Sequence, residues 1–375
     1  MTKTESFPAP LSRGLSRGQL PALDGLRAIA AYLVVLFHFG LPWVPGGLGV
    51  LAFFVLSGFL ITWLLLKEAE RHGDVSLRLF YIRRALRIFP AFYVYAGVLL
   101  VALHTFGKRI VWGQAMASLL YVNNYYQAIA GDPSTGLSHT WSLGIEEQFY
   151  LLWPIAFVAL HHRRPLLARF LVIGIACVWI HRWMLVMAGV HQGYIYEAFD
   201  TRADHLMIGC LLAVALRERW GSPLWRQLSA HATLPALTLA ALAASATLGY
   251  RIDGYRDAVG FVVDPLLVAA LIVQLIALSE SDAWSWINWP AVRYLGRISY
   301  SVYLYQQIVP TFVEAALRGR PFALQLSAHV IGVTLVASVS YWIIERPFLA
   351  IKDRIGSRVH GPVARSIAAM PVPAS

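Results

Sequence analysis

Long apolar segments alternate with short polar ones along nearly the whole chain. Backbone amides in a bilayer have no water to bind, so a long apolar segment predicts a membrane-spanning α-helix. Ten spans are predicted, the sixth of them short, at residues 23–43, 46–66, 88–105, 140–160, 166–189, 204–217, 231–250, 259–278, 294–316 and 325–346. The pattern therefore predicts an all-α integral membrane protein, built as a bundle of about ten transmembrane helices.

The composition agrees with this class, since 58% of the 375 residues are hydrophobic and only 14% are charged. Soluble domains carry about 25% charged residues. The net charge of +11 also has a membrane explanation. With ten spans, most Lys and Arg residues fall on one side, which the positive-inside rule assigns to the cytoplasm. We therefore expect both termini in the cytoplasm, location in the inner (cytoplasmic) membrane, contact with the lipid bilayer and no nucleic-acid partner.

Three regions are predicted along the chain. They are a cytoplasmic N-terminal segment at residues 1–22, a transmembrane domain at residues 23–350, and a disordered cytoplasmic tail at residues 351–375. The sequence contains no phosphate-binding loop, nucleophile elbow or metal-ligand spacing, so no metal is expected. The chemistry is left to ionisable side chains inside the spans, where their high energetic cost makes function the default interpretation.

Arg27 and His38 bracket the apolar run RAIAAYLVVLFH. Eleven helical steps return to within about 20° of the start and climb roughly 16 Å, so both side chains are predicted on one helix face at two depths. Counted from the cytoplasmic side, His38 would lie in the outer half of the membrane. The alternatives are a packing histidine and an ion pair of Arg27 with Asp24.

Arg83, Arg84 and Arg87 lie within about one helical turn, just before the third span. The positive-inside rule and anionic lipids would by themselves explain arginines at this place. Three guanidinium groups this close nevertheless repel one another unless an anion lies among them, and their planar forks suit phosphate oxygens. A phosphate-binding group is therefore the competing interpretation.

Glu146 and Glu147 are predicted about 10 Å inside the fourth span, near the depth of His38. Because adjacent helical residues point in different directions, at most one carboxylate can face the same cavity as His38. A carboxylate beside an imidazole would fix its tautomer and raise its basicity. Further side chains near this level or at the outer mouth of the sixth span are assigned to substrate contacts, together with Glu146: Ser57, Trp141, Arg202, Asp204 and Tyr303.

A basic group at the inner surface and a histidine in the outer half suit an enzyme that binds an anionic cytoplasmic donor and acts on a molecule outside. Acyl-CoA fits, because its phosphates need arginines and its flexible arm would carry a thioester towards His38. A neutral imidazole would take the proton of an attacking hydroxyl, and a hydroxyl such as that of Ser57 would stabilise the oxyanion. The open alternative is a secondary transporter of a small anionic or glycosylated solute that uses the same Arg, His and Glu side chains.

Seven segments, in order over about residues 20–350, resemble acyltransferase family 3, membrane proteins that O-acylate carbohydrates outside the cytoplasm. They are LDGLRAIAAYLVVLFH, GVLAFFVLSGFLIT, RRALRIFP, HTWSLGIEEQFYLLWP, TRADHLMIG, LGRISYSVYLYQ and IIERPF. The resemblance implies a ten-helix fold and acyl-CoA as donor. It also implies that Arg27 and His38 are essential, that the three clustered arginines bind the donor, and that Glu147 belongs to the active site.

One position departs from the family pattern. Many relatives carry a histidine shortly after the segment SYSVYL, where this chain has Gln306 and Gln307. A neutral amide therefore replaces an ionisable group, and the acceptor cannot be inferred through that residue.

The sequence thus predicts a membrane O-acyltransferase, most simply an O-acetyltransferase. It would move an acyl group from cytoplasmic acyl-CoA, with acetyl-CoA as the simplest donor, to a hydroxyl of an envelope polysaccharide or glycolipid. His38 would act as general base, Glu147 would orient it, and Arg27 would support the site or contact the donor.

Overall fold

The computed structural model describes residues 7–16 and 20–359, which form helices and no strands. The all-α prediction is therefore confirmed for this part of the chain. The α-helices are α1 Ala9–Ser16, α2 Pro21–His38, α3 Gly46–His72, α4 Leu77–Thr105, α5 Trp112–Leu119, α6 Asn123–Ala130, α7 Thr140–Leu160, α8 Arg164–Met187, α9 Gln192–Glu197, α10 Ala203–Arg217, α11 Ser222–Leu228, α12 Leu234–Arg251, α13 Phe261–Leu278, α14 Pro290–Arg297, α15 Ser299–Tyr305, α16 Val309–Ala316, α17 Phe322–Ser340 and α18 Arg346–Val359. Short 3₁₀ turns lie at Phe199–Thr201 and Ser285–Asn288, and π turns at Arg256–Gly260 and Tyr341–Glu345.

Seven helices among the described residues are long and apolar enough to cross a membrane, so the chain is a multi-pass membrane protein. Three predicted spans are not among the seven. The first is α10, which has 15 residues, and the second corresponds to α12. The third, predicted at residues 294–316, is divided into the short helices α14, α15 and α16. The predicted count of ten and the cytoplasmic termini therefore stay predictions.

The outward faces of the long helices carry exposed apolar side chains. Val98 and Val101 on α4 are 60% and 66% exposed, and Ile173 on α8 is 62% exposed. Such contiguous apolar surface is unfavourable in water and suits contact with lipid tails. The helices therefore place their apolar outer faces against the bilayer and their polar side chains against one another.

Helix α3 lies at the centre of the bundle and packs along both α2 and α10. Its contact with α10 depends on two glycines. A Cβ atom at Gly58 would lie 1.9 Å from the carbonyl oxygen of Leu206, and one at Gly209 would lie 2.0 Å from that of Val55. Because any side chain there would collide with backbone, these glycines allow the close approach that fixes Ser57, the neighbour of Gly58, inside the bundle.

Two ends of the bundle are used below. The basic end is where α3 finishes and α4 begins, and the opposite end is where α2 finishes at His38. Helix α2 is shorter than the predicted span at residues 23–43, because residues 39–45 form turns before α3. The predicted tail also differs, since residues 351–359 continue α18. Residues 360–375 of that prediction lie outside the described residues.

Candidate functional site

A cavity of about 820 Å³ opens among α2, α3, α4 and α14 at the basic end. This volume lies within the range of about 300–1,000 Å³ usual for small-molecule sites. Basic side chains outnumber acidic ones in its wall, where the acidic residues are Asp24, Glu68, Glu146 and Asp353. The basic residues that line it are Arg27, Lys67, Arg71, Arg83, Arg84, Arg87, Arg293, Arg297 and Lys352. A cavity with this excess of positive charge suits a polyanionic ligand.

Two of the three clustered arginines are engaged with glutamates. Arg83 donates to Glu68 on α3. Arg84 donates from Nε and Nη2 to Oε1 of Glu147, over 3.1 and 2.9 Å, and its guanidinium lies 3.5 Å from the centre of the Tyr150 ring. Helix α4 therefore uses these arginines partly to attach itself to α3 and α7.

Arg27 and Arg87 line the cavity without such a partner among the described residues, as do Arg71, Arg293 and Arg297. Neither Arg27 nor Arg87 forms an ion pair or hydrogen bond to a described side chain, and the expected alternative pair of Arg27 with Asp24 is absent there. The two guanidinium groups lie close enough for their charges to repel, and Arg87 is exposed. The Glu345 carboxylate lies near both groups but forms no ion pair with either among the described residues, so their N–H donors stay available to an anion.

The inner part of the cavity is polar and contains three of the predicted substrate residues, Ser57, Glu146 and Tyr303. Ser57 donates its hydroxyl hydrogen to Oε1 of Glu146 over 2.8 Å. Glu146 also lies 3.8 Å from Nη2 of Arg84, so it belongs to the same charged group as Glu147. The adjacent carboxylates therefore share Arg84, and Glu146 also binds Ser57.

A hydrogen-bonded group separates this inner part from His38. The hydroxyl of Tyr303 lies against the hydroxyl of Ser142 and donates to the carbonyl oxygen of His139 over 2.9 Å. His139 in turn places Nδ1 3.0 Å from Oε1 of Gln307. Because an amide oxygen can only accept, Nδ1 carries the hydrogen and Nε2 keeps its lone pair. Nε2 is buried and has no hydrogen-bond partner in the described chain.

His38 lies beyond this group, at the last position of α2, and does not line the basic cavity. Its side chain is exposed, and its charged or titratable neighbours are Asp132 and His139. Arg27 and His38 therefore lie on one helix at two depths, with Arg27 in the cavity wall and His38 at the last position of α2.

The expectation that Glu147 orients His38 does not match the structure. Glu147 follows His139 by eight residues, which is about 12 Å along α7, and it faces Arg84 on α4. His38 instead lies level with the start of α7, because α2 ends there without reaching residue 43. The estimate from the sequence counted the rise along each span separately, which does not determine how far one helix is shifted along another.

Asp204 is held in a closed ion pair and is not available to a substrate. Its two oxygens accept from Nη1 and Nη2 of Arg182, each over 3.0 Å, and Oδ2 also accepts from Trp179 over 2.8 Å. Arg182 further donates to the carbonyl oxygens of Thr201 and Phe261. Both charged side chains are at most 1% exposed, so this pair fixes α8 to the start of α10.

Arg202 is fully buried, yet none of its three guanidinium nitrogens has a hydrogen-bond partner among the described residues. Its guanidinium lies 3.9 Å from the ring centre of Phe261 and 5.0 Å from that of Tyr196. Trp141 is also buried, with its ring centre 5.1 Å from that of Tyr196. Arg202 and Trp141 therefore belong to one aromatic cluster at the opposite end, apart from the basic cavity.

Glu197, in the short helix α9 at the same end, is a titratable residue that the sequence analysis did not identify. Burial, together with the nearby Asp132 carboxylate, raises the pKa of Glu197 to about 8. The Arg202 cation opposes this shift. The end of the bundle that holds His38 therefore also holds a carboxyl group that gains a proton easily near neutral pH.

His139 and Gln307 were also missed as site residues. The signal for His139 was present, because it begins the segment HTWSLGIEEQFYLLWP, but its partner lies 168 positions away. Gln307 was noted only as a departure from the family pattern. In the structure its amide sets the tautomer of a buried imidazole, which no local pattern reveals.

Comparisons with known proteins agree with the motifs. A protein-family model described as an acyltransferase domain matches residues 20–345. The peptidoglycan O-acetyltransferase OatA of Listeria monocytogenes is 32% identical over 355 residues, which cover 88% of this chain and 56% of that protein. The O-acetyltransferase OatA of Staphylococcus aureus is 29% identical over 363 residues, covering 90% of this chain and 58% of that protein. The chain thus spans little more than half the length of these relatives. A comparison with solved structures finds no significant match.

Proposed function

Because the chain belongs to acyltransferase family 3, we propose that it transfers an acyl group, most simply acetyl, from acyl-CoA to a hydroxyl of a cell-wall polysaccharide. Two relatives named as O-acetyltransferases, one of them for peptidoglycan, support this acceptor class. The single observation that carries the donor assignment is the basic cavity, with Arg27 and Arg87 unpaired in its wall.

The donor would enter from the basic end. Its phosphates would bind Arg87 and Arg27, with Arg293 and Arg297 of α14 on the facing wall. Charge-assisted hydrogen bonds from arginine forks to phosphate are among the strongest polar contacts in proteins. The acyl thioester would then lie in the inner part of the cavity, next to Ser57 and Tyr303.

His38 would act as the general base. The acceptor oxygen attacks the thioester carbonyl carbon while His38 takes the hydroxyl proton, and the carbon–sulfur bond then breaks. The imidazolium returns that proton to the CoA thiolate, so the products are the ester and CoA thiol. An imidazole suits this step because its ordinary pKa lies near the working pH.

Transfer requires that the hydrogen bonds of Tyr303 open, because Tyr303, Ser142 and His139 lie between the cavity and His38. Opening would bring the thioester and His38 together. The buried Nε2 of His139 would then face the same space, where it can accept a hydrogen bond.

The acceptor would approach from the end that holds His38. Arg202, Trp141 and Tyr196 would form the wall that contacts it. Aromatic rings stack readily on sugar faces, since such faces carry apolar C–H groups, and a guanidinium can donate hydrogen bonds to sugar oxygens.

The test measures release of CoA thiol from acetyl-CoA by the purified protein in proteoliposomes, with and without a peptidoglycan fragment. The variant His38→Ala should bind acetyl-CoA as the wild type does and lose turnover by roughly 100-fold or more, the scale of a general base. His104→Ala, an exposed histidine at the end of α4, is the matched control and should keep full activity.

Two outcomes would reject the proposal. If the wild type neither binds nor consumes acyl-CoA, the donor assignment fails. If His38→Ala turns over normally, the base assignment fails. A transporter would instead move a solute across the proteoliposome membrane without releasing thiol, which the same preparation can report.

A further inference from the structure

Two loops that are distant in sequence meet at the basic end, outside the cavity. One follows α3 and contains Asp74, and the other follows α7 and contains His161 and His162. One potential ligand atom from each of these three residues lies within 4.8 Å of the other two. No spacing motif indicates this group, because α4 to α7 separate the two loops in the chain.

His161 is oriented as metal-bound histidines usually are. Its Nδ1 lies 3.0 Å from the carbonyl oxygen of Val158, which can only accept, so Nδ1 carries the hydrogen. Nε2 therefore has a free lone pair. A carbonyl that fixes the tautomer in this way is the usual outer partner of a histidine ligand.

The Nε2 atom of His161 is also without a hydrogen-bond partner, although the side chain is only 3% exposed. A buried polar atom without a partner is unfavourable and requires a reason. Its nearest acidic atom is Oδ1 of Asp74, at 3.9 Å, which is too far for a hydrogen bond. The gap between these atoms is where a ligand fits.

From this geometry we propose that Asp74, His161 and His162 bind a divalent transition-metal ion of the zinc type, with water completing the coordination. Two imidazoles and one carboxylate match the ligand preferences of zinc, whereas magnesium prefers oxygen ligands. Zinc bonds of about 2.0–2.2 Å place neighbouring ligand atoms roughly 3.3 Å apart. Oδ1 of Asp74 also accepts from the backbone N–H of Val75 over 2.7 Å, but the side chain is 69% exposed, so a rotation can present its carboxylate to the ion.

The ion would join the loop before α4 to the loop after α7. Helix α4 carries Arg83, Arg84 and Arg87 of the cavity, and α7 carries Glu146 and Glu147. A metal bound only by the folded chain stabilises it. The site would thus hold the two helices that form the charged wall, without taking part in the reaction. This inference does not depend on the proposed acyl transfer.

The experiment uses the full chain, purified with a tag that contains no histidine and stripped of metal with a chelator. Zinc binding is measured by equilibrium dialysis, and cobalt binding by visible absorption. The wild type should bind about one zinc per chain and show the absorption of tetrahedral cobalt, with a higher unfolding temperature in the presence of zinc.

His162→Ala and Asp74→Asn should each weaken zinc binding by roughly 10-fold or more, a loss at least as large as that of an outer partner. Both residues are exposed, so neither change should disturb packing. His104→Ala should bind zinc like the wild type. The inference is overturned if the wild type takes up no zinc, or if both ligand variants bind it with unchanged affinity.

Discussion

Arg27 and Arg87 face a large cavity at the basic end without ion-pair partners, whereas Arg182 at the opposite end is enclosed with Asp204 and two carbonyl oxygens. All three residues are arginines, but their surroundings give them different roles. An arginine whose hydrogen bonds are all made by the protein stabilises the fold. An arginine whose N–H donors remain free in a cavity can bind a ligand.

The largest expected effect is on the enclosed pair. Asp204→Asn would leave the Arg182 cation almost fully buried beside a neutral amide. Removing one partner of a buried ion pair costs about 3–5 kcal/mol. We therefore expect a drop of this size in the free energy of unfolding, measured by denaturation in detergent micelles.

The matched control is Asp353→Asn, because Asp353 pairs with Lys352 at the surface and is 74% exposed. Such pairs contribute about 0–1 kcal/mol. Equal losses for both variants would contradict the distinction between the two ends.

A smaller effect, on binding and not on stability, is expected at the cavity. Arg87→Ala should weaken acetyl-CoA binding by roughly 10- to 100-fold, the equivalent of about 1.5–3 kcal/mol for a charged hydrogen bond. Its unfolding should not change, because the side chain has no ion pair to lose. Isothermal titration calorimetry of the purified variant provides the measurement.

Arg163→Ala is the control for Arg87→Ala, since Arg163 is exposed and lies outside the cavity lining. Arg84→Ala gives a useful contrast. It should lower stability as well as binding, because it leaves Glu147 buried without its partner. Unchanged affinity in Arg87→Ala would remove this arginine from the donor site.

The third prediction concerns Arg202, whose buried guanidinium contacts rings and makes no hydrogen bond to the described part of the chain. Arg202→Met keeps most of the volume and removes a charge that is costly to bury, so stability should not fall by more than about 1 kcal/mol. Transfer to a polysaccharide acceptor should fall, while acceptor-independent release of CoA stays normal. A steady-state assay over a series of acceptor concentrations separates acceptor transfer from acceptor-independent release of CoA.

If Arg202→Met unfolds easily and keeps acceptor transfer, Arg202 belongs with Arg182 as a residue of the fold. If it loses transfer and remains stable, the aromatic cluster belongs to the acceptor end. The two readouts therefore distinguish the assignments directly.

The last prediction is a pH dependence at Glu197, which concerns stability over a pH range and not at one fixed pH. Its folded pKa of about 8 is above the ordinary value of 4.5, so the folded chain holds a proton that the unfolded chain releases between these values. Stability should consequently fall as the pH rises from about 5 to 8. Glu197→Gln removes the titrating group, so its unfolding temperature should decline less over this range than that of the wild type.

The helical class and the position of Arg27 and His38 on one helix followed from the sequence because both depend on local periodicity. The residue at which α2 ends did not follow from the sequence. The last turn of this helix stops at His38, since residues 39–45 form turns before α3. The shift of α2 along α7 did not follow either, and it places His38 near His139 and away from Glu147.

The sequence also did not predict which carboxylate pairs with which arginine. Nothing near Arg84 in the sequence shows that its carboxylate partner is Glu147, 63 positions away, or that Asp204 belongs to Arg182. The three short helices α14, α15 and α16 likewise divide a stretch for which the sequence predicted one span at residues 294–316. These features depend on packing between helices that are distant in the chain, and a single sequence does not show which helices pack together.

The contact of Tyr303 with Ser142 and His139 has a consequence for the membrane as a barrier. A water-filled cavity that ran from the basic end to His38 would conduct protons and small ions and would dissipate the membrane potential. The buried tyrosine closes that route with its ring and hydroxyl, and both of its partners lie on α7 or the residue before it. Under the proposed transfer between the two sides of a bilayer, this contact would keep the membrane electrically tight between turnovers.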